Sequence, residues 1–328
     1  MNPLLLTISI IAVIIIALFL VDHFVYHESE RQKAIAKTEK RSFTKLPIVI
    51  FYKKYHHIFT KITTYGFLTA FCLLALFPFF WMISSSLKTP MEAVSVDELV
   101  IFPVQAQWAN YGRVMEVMNI FNGIKNTLIV EVATIPISLF VSALVAFAFA
   151  KMRMRHKNAF LLVLLGGMMV PYASLLLPQF RGYFELGLVN TLWPLIIPAF
   201  FGNVSIMFFF IQYMKSIPNE LFEAAKIDGA SYFKTFLYIM LPLMGPALSV
   251  QAIFMFVGNW NDFFGPSIYL SVESVKTLQV LLQSLATSGT DRPLLFAGAF
   301  MTCIPLFIIY FVFQRHFVGT IAISGIKG

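Results

Sequence analysis

Residues 216–246 read SIPNELFEAAKIDGASYFKTFLYIMLPLMGP, a polar and charged island between two strongly apolar runs. The stretch predicts two short helices with a sharp turn between them. Pro218 suits a first helical turn, where a missing N–H costs nothing. Leu221, Phe222, Ala224 and Ala225 give that helix an apolar side, and Glu220, Glu223 and Lys226 occupy the rest. Asp228-Gly229 then ends it, because glycine is the residue that accepts positive φ at a helix stop. Ser231 is placed to cap a second helix carrying Phe233, Phe236, Leu237 and Met240, with Pro242 and Pro246 beyond. The small pair Ala224-Ala225 lets a foreign backbone or bulky side chain come close.

The flanking runs decide the class. The chain has 328 residues, 59% hydrophobic and 12% charged, against about 25% charged in a soluble domain. Several runs reach the roughly twenty residues that a helix needs to cross a bilayer. The expected fold is an all-α polytopic membrane protein. Net charge is +8, but the positive residues cluster between apolar runs. That pattern fits topology and anionic lipid headgroups, with no nucleic acid as partner. Cys72 and Cys303 both lie inside apolar runs and are expected as buried packing residues. No P-loop, H-E-x-x-H or G-x-S-x-G motif occurs, so any ATP must be bound by another chain.

In order, residues 1–24 hold a first apolar run, read as an uncleaved transmembrane helix. Residues 25–62 form a basic linker, cytoplasmic by the positive-inside rule, which puts the N-terminus outside. The rest, 63–328, holds a six-span core. Its spans run from about Thr63 to Ile83, Thr127 to Ala150, Ala159 to Leu177, Trp193 to Tyr213, Pro242 to Phe264 and Leu294 to Phe313. The loop 84–122 is acidic and expected outside. Lys151, Arg153, Arg155 and Lys157 mark the cytoplasm, as do Arg315, His316 and Lys327 at the C-terminus.

The string Glu223-Ala224-Ala225, Asp228-Gly229-Ala230, Phe236, Ile239, Leu241-Pro242 and Pro246 resembles the EAA loop of ABC-importer permeases. From about Tyr65 onward the chain resembles the carbohydrate branch, of the maltose-permease second-subunit type. Ser84 to Thr89, Asn110-Tyr111, Asn126-Thr127, Leu186 to Thr191, Trp260-Asn261-Asp262-Phe263, Lys276 to Val280 and the ending Gly325 to Gly328 carry this. The first sixty residues and the segment Ser284 to Arg292 depart from the shared pattern.

The resemblance implies a transport subunit without enzymatic activity, for a sugar or oligosaccharide. Implied partners are a second permease, two ATP-binding subunits with ATP and Mg, an extracytoplasmic solute-binding protein and membrane lipid. No cofactor or metal is implied in this chain. Glu223 would make a charged contact with the ATPase, Ala224 and Ala225 would pack in its cleft, and Gly229 would set the bend. Asp228 would cap the second helix, pair with Lys226 or Lys234, or meet the partner, and Ala230 completes the motif.

Candidates for the solute path are Asn259, Trp260, Asn261 and Asp262, since amides and aromatic faces suit sugars. Their alternative reading is an interfacial tryptophan and a helix C-cap. Glu131, near the outer start of its span, is an intramembrane acid and a candidate by type, expected at headgroup depth. Met207 and Phe208 to Phe210 read as packing or lipid-facing residues. Two rivals remain open at this level. An ion-coupled transporter needs ionisable residues at mid-membrane, where the spans are almost free of them. A membrane enzyme needs a paired-acid, metal or nucleophile set that the sequence lacks. Within the importer class, glycerol phosphate or an amino acid is the alternative solute.

Overall fold

The structure, a computed structural model, describes residues 47–94, 100–289 and 291–325. The expected N-terminal helix, 1–24, and most of the basic linker lie outside them. The chain divides between Trp81 and Met82 into two compact units. The first contains most of α1, Pro47–Ser86. Residues 47–62, expected as linker, are therefore helical. Tyr65, Phe71 and Leu73 on α1 are exposed, as suits a helix whose solvent is lipid. Cys72 is exposed as well and Cys303 half-buried, both as free thiols. Cys72 is thus no core residue, contrary to the expectation from its apolar surroundings.

The second unit begins with two short helices, α2 (Pro90–Val94) and α3 (Ala109–Met118). Thr89-Pro90-Met91-Glu92 is a capping box. Thr89 Oγ1 accepts from the Glu92 N–H at 3.3 Å, and Glu92 Oε2 accepts from the Thr89 N–H at 2.8 Å. The central element is α4, Ile120–Lys151. Its buried face reads Gly123, Thr127, Glu131, Thr134, Ser138, Ser142, Ala146, a stripe at helical spacing made of small and polar residues. Large apolar residues such as Phe121, Leu128 and Val132 face outward. The stripe lets neighbours approach closely, which is how membrane helices associate when lipid removes the hydrophobic drive; Val130, Leu139, Phe147 and Phe149 are buried beside it.

Beyond α4 come α5 (Lys157–Gly167), α6 (Tyr172–Glu185), α7 (Trp193–Ile196) with a 3-10 turn at Ile197–Phe201, and α8 (Val204–Ser216). Next are α9 (Asn219–Ile227), α10 (Tyr232–Leu243) and α11 (Gly245–Trp260). Then follow α12 (Phe264–Tyr269), α13 (Leu278–Thr287) and α14 (Arg292–Gly325). No strand occurs among the described residues.

Four helices or parts of helices are long and apolar enough to cross a membrane: Thr60–Ser86, Ile120–Lys151, Trp193–Ser216 and Arg292–Phe313. If each of two bent pairs is one span, the number is six, as many as the expected core has. The expected span 159–177 is broken: α5 and α6 meet at 86° around Pro171, whose preceding residue is disfavoured from the α region. The expected span from Pro242 starts instead at Gly245, where α10 and α11 meet at 75°. Residues 120–126 and 181–185, expected outside the spans, are helical.

α4 packs against α8, α11 and α13. Near Lys151 the core holds Ala146, Phe147, Phe210, Met214, Phe222, Phe236 and Met240. Near Ile120 it holds Met118, Phe256, Trp260, Leu278 and Leu281. Met207 and Phe210 belong to the interior while Phe208 and Phe209 are exposed, so the run 207–210 splits by helical phase.

Candidate functional site

The helix pair α9–α10 forms as the sequence foretells, with a complete stop signal. The Ala230 N–H donates to the Ala225 carbonyl at 2.9 Å and the Gly229 N–H to the Lys226 carbonyl at 3.1 Å. That is the Schellman pattern, with Gly229 at φ 75°. A Cβ at Gly229 would meet nothing within 4 Å. The need for glycine here comes from the backbone, not from close approach inside the chain. Pro218 lies one residue before the helix rather than in its first turn.

Ser231, not Asp228, supplies the cap of α10: its Oγ accepts from the Lys234 N–H at 3.3 Å. The Asp228 carboxylate makes no hydrogen bond or ion pair among the described residues and is exposed. Lys226 ties the pair together, its Nζ 5.1 Å from the Phe222 ring centre and 4.9 Å from that of Tyr232. Within α10, residues Phe236–Met240 form a π turn. Pro242 follows, without an N–H to donate back to Tyr238, and π turns accommodate such gaps in the ladder.

The two alanines face opposite ways. Ala225 is 5% exposed and turned into the chain, so it is not available to a partner's cleft as the resemblance implied. Ala224 and Glu223 are exposed. Beside them stand Leu221, Ile227, Tyr232 and Phe233, four large apolar side chains, with Ile227 86% exposed. Such a cluster of exposed apolar side chains around the turn reads as an interaction face.

The path candidates are only partly brought together. Trp260 is fully buried, stacked on Phe256 at 5.3 Å, and its Nε1 donates to the Thr302 carbonyl at 3.1 Å. It is a packing residue of α11 and presents no face to a solute. Asn261 is exposed and donates back to the Val257 carbonyl at 2.8 Å, a helix-end role. Asp262 is half-buried and its Oδ1 accepts from the Gly265 N–H at 3.3 Å.

Asn259 carries a link that sequence reasoning missed. Its Nδ2 donates to Glu131 Oε2 at 3.1 Å and to Thr134 Oγ1 at 3.2 Å. Glu131 is 2% exposed, enclosed between α4 and α11. The signal was present as an acid inside an apolar run; what was missing was the knowledge that α11 places an amide opposite it.

Two further motifs act as clamps on residues 271–278. Asn122 and Asn126 donate to the Ser274 carbonyl at 2.7 and 3.0 Å, and Asn126 also to that of Lys276 at 3.0 Å. Thr127 Oγ1 accepts from the Leu278 N–H at 3.0 Å. Asn190 Oδ1 accepts from the Ser271 and Val272 N–H groups at 2.7 and 3.1 Å.

Against known proteins, residues 119–322 match the family described as the binding-protein-dependent transport system inner membrane component. The chain belongs to that family. It is 32% identical over 279 residues to the arabinooligosaccharides transport system permease protein AraQ of Halalkalibacterium halodurans, covering 84% of this chain and 99% of the relative. It is 29% identical to the lactose transport system permease protein LacG of Rhizobium radiobacter, covering 78% and 93%. Among solved structures, a bacterial ABC transporter involved in the import of the acidic polysaccharide alginate has a chain that aligns with a TM-score of 0.65 at 26% identity. The alignment covers 79% of this chain and 96% of that one. This permease is thus a multi-pass membrane transport subunit of an ABC importer, with several apolar helices that can span the bilayer.

Proposed function

We propose that this permease forms half of the translocation path for a sugar or oligosaccharide and is driven by a separate ATPase docked on α9–α10. One observation carries the docking: a turn rigidly closed by the Schellman bonds at Gly229 presents Glu223, Ala224, Leu221 and Ile227 outward. A stiff, capped helix pair joined directly to two membrane segments is what a lever between a closing ATPase and the membrane requires.

In this reading a second, different permease completes the path. Two ATP-binding subunits hold the ATP and Mg, and a solute-binding protein delivers the solute from outside. The protein lies in a bacterial or archaeal cytoplasmic membrane, with the N-terminus outside and α9–α10, the loop after Lys151 and the C-terminus in the cytoplasm. The names of the relatives support a carbohydrate as solute. Asn259 and Asp262, both half-buried at the end of α11, remain the path candidates, and Glu131 positions the first. Solute and nucleotide must favour different global states for transport to be coupled.

The test is crosslinking in the co-purified complex. A cysteine at Ala224 should crosslink to the ATPase subunit, and one at the inward-facing Ala225 should not. A lone permease that co-purifies without an ATPase, or equal crosslinking from both positions, would overturn the docking.

A further inference from the structure

We infer that Lys151 is a positioning residue for energy coupling: its ammonium fastens the elbow between α8 and α9 to the end of α4, so that movement of α9 is delivered to α4. The inference rests on the importer reading above.

The elbow consists of Ile217 and Pro218, the two residues between α8 and α9, both with extended ψ (129° and 137°). A helix end leaves carbonyls without intrahelical partners. Lys151 Nζ donates to the Ile217 carbonyl and to Asn219 Oδ1, each at 2.7 Å. The two bonds therefore hold the first residue of the elbow and the first residue of α9. The positive charge also sits where the α8 dipole places its negative end.

One turn earlier on the same face, Phe147 is 2% exposed. It meets Phe222 of α9 edge-on at 5.9 Å and Phe236 of α10 at 5.5 Å. The i, i+4 pair Phe147–Lys151 thus touches the elbow and both helices of the loop.

At the other end of α4, Asn122, Asn126 and Thr127 hold the backbone of residues 274–278. The same helix of 32 residues, about 48 Å long at 1.5 Å per residue, therefore grips the elbow at one end and this segment at the other. Between them, Ser142 Oγ accepts from the Asn203 N–H at 2.9 Å, which ties α4 to the start of α8. A displacement of α9 therefore has a route along α4 to residues 274–278.

The test uses the complete importer in lipid vesicles, with Cys72 and Cys303 replaced by serine and a reporter cysteine at the exposed Ser274. The readout is the rate of maleimide labelling with and without ATP and Mg. With Lys151 present, nucleotide should change the rate by about fivefold or more, in the usual range of allosteric coupling.

Lys151→Met keeps the apolar stem but removes the donors. It should abolish the nucleotide-dependent change while the ATPase stays bound and hydrolyses ATP. Lys151→Arg should restore the change. Asn219→Ala should weaken it and add little in combination with Lys151→Met, since both remove one contact.

An undiminished response in Lys151→Met, or no response in the parent complex with ATPase bound, overturns the inference. Loss of the ATPase from Lys151→Met also overturns it, by showing that the residue merely supports the fold. A parent permease that never binds an ATPase fails the importer reading instead, a result seen before any variant is compared.

Discussion

Asn259 donates its side-chain amide to Glu131 across 3.1 Å, joining α11 to α4 through a carboxyl group that is 2% exposed. Removing the acceptor leaves the amide only Thr134 Oγ1, 3.2 Å away, and costs the net worth of one hydrogen bond, about 0.5–1.5 kcal/mol. Glu131→Leu should lower the thermal midpoint of the detergent-purified permease accordingly. Glu131→Gln keeps an oxygen for Asn259 and should lose less than about 1 kcal/mol. Equal losses in the two variants would show that the hydrogen bond does not matter and that side-chain bulk does.

Gly229 stands at φ 75° with open space where a Cβ would go. A substitution there strains only the backbone, by about 1–2 kcal/mol for an ordinary side chain. Gly229→Asn should be tolerated better than Gly229→Val, because Asn visits the left-handed region more readily. Gly229→Asp is expected to assemble but to lose uptake. Normal uptake in that variant, at normal assembly, would remove the case for a coupling role.

Gly123 is needed for a different reason. A Cβ there would lie 2.7 Å from Leu281 Cδ1 and 3.1 Å from Leu278 Cα. Since Leu278 contributes backbone, the crowding is not relieved by a rotamer change. Gly123→Val should destabilise by about 1–3 kcal/mol, the usual cost of overpacking. It should also raise protease cleavage within residues 271–278, by forcing α13 off α4. Wild-type stability would mean that α13 moves freely at this contact.

Glu92 titrates below its ordinary value of 4.5, held down first by the Thr89 N–H, then by the Val104 N–H. A depressed carboxyl stabilises the folded state above its unfolded value and loses that contribution as pH falls through the lower, folded value. The contacts of Glu92 with the Thr89 and Val104 N–H groups should therefore loosen below about pH 4.5. Hydrogen exchange at the Val104 amide, donor to Glu92 Oε1 at 2.9 Å, should show more protection loss with acid in the wild type. In Glu92→Gln that acid dependence should flatten, and identical profiles would count against the carboxylate's part.

Much of the architecture was legible because its signals are local. Apolar runs of bilayer length locate the spans, Pro and Gly punctuate them, and Ser231 and Gly229 declare the ends of α10 and α9 within a few residues. The errors are equally specific. Ala224 and Ala225 are indistinguishable in composition, and only the packing of α9 turns one inward. Trp260 has the chemistry of a sugar platform, but Phe256 and Thr302 take up its face and its N–H. The bends at 86° and 75° were not legible, because a proline shows that a helix can break but not by how much.

By itself the sequence determined the class of protein, the long apolar runs, the capped turn at Gly229 and the family. These depend on hydrophobic run length and on bonds between near neighbours in the chain. The tertiary structure decided which side chains face inward, that Glu131 meets Asn259, and that Lys151 meets the elbow at Ile217. Those pairs lie 128 and 66 residues apart. Contacts over such distances are chosen by how the small-residue stripe of α4 admits its neighbours, a packing outcome with no local signature.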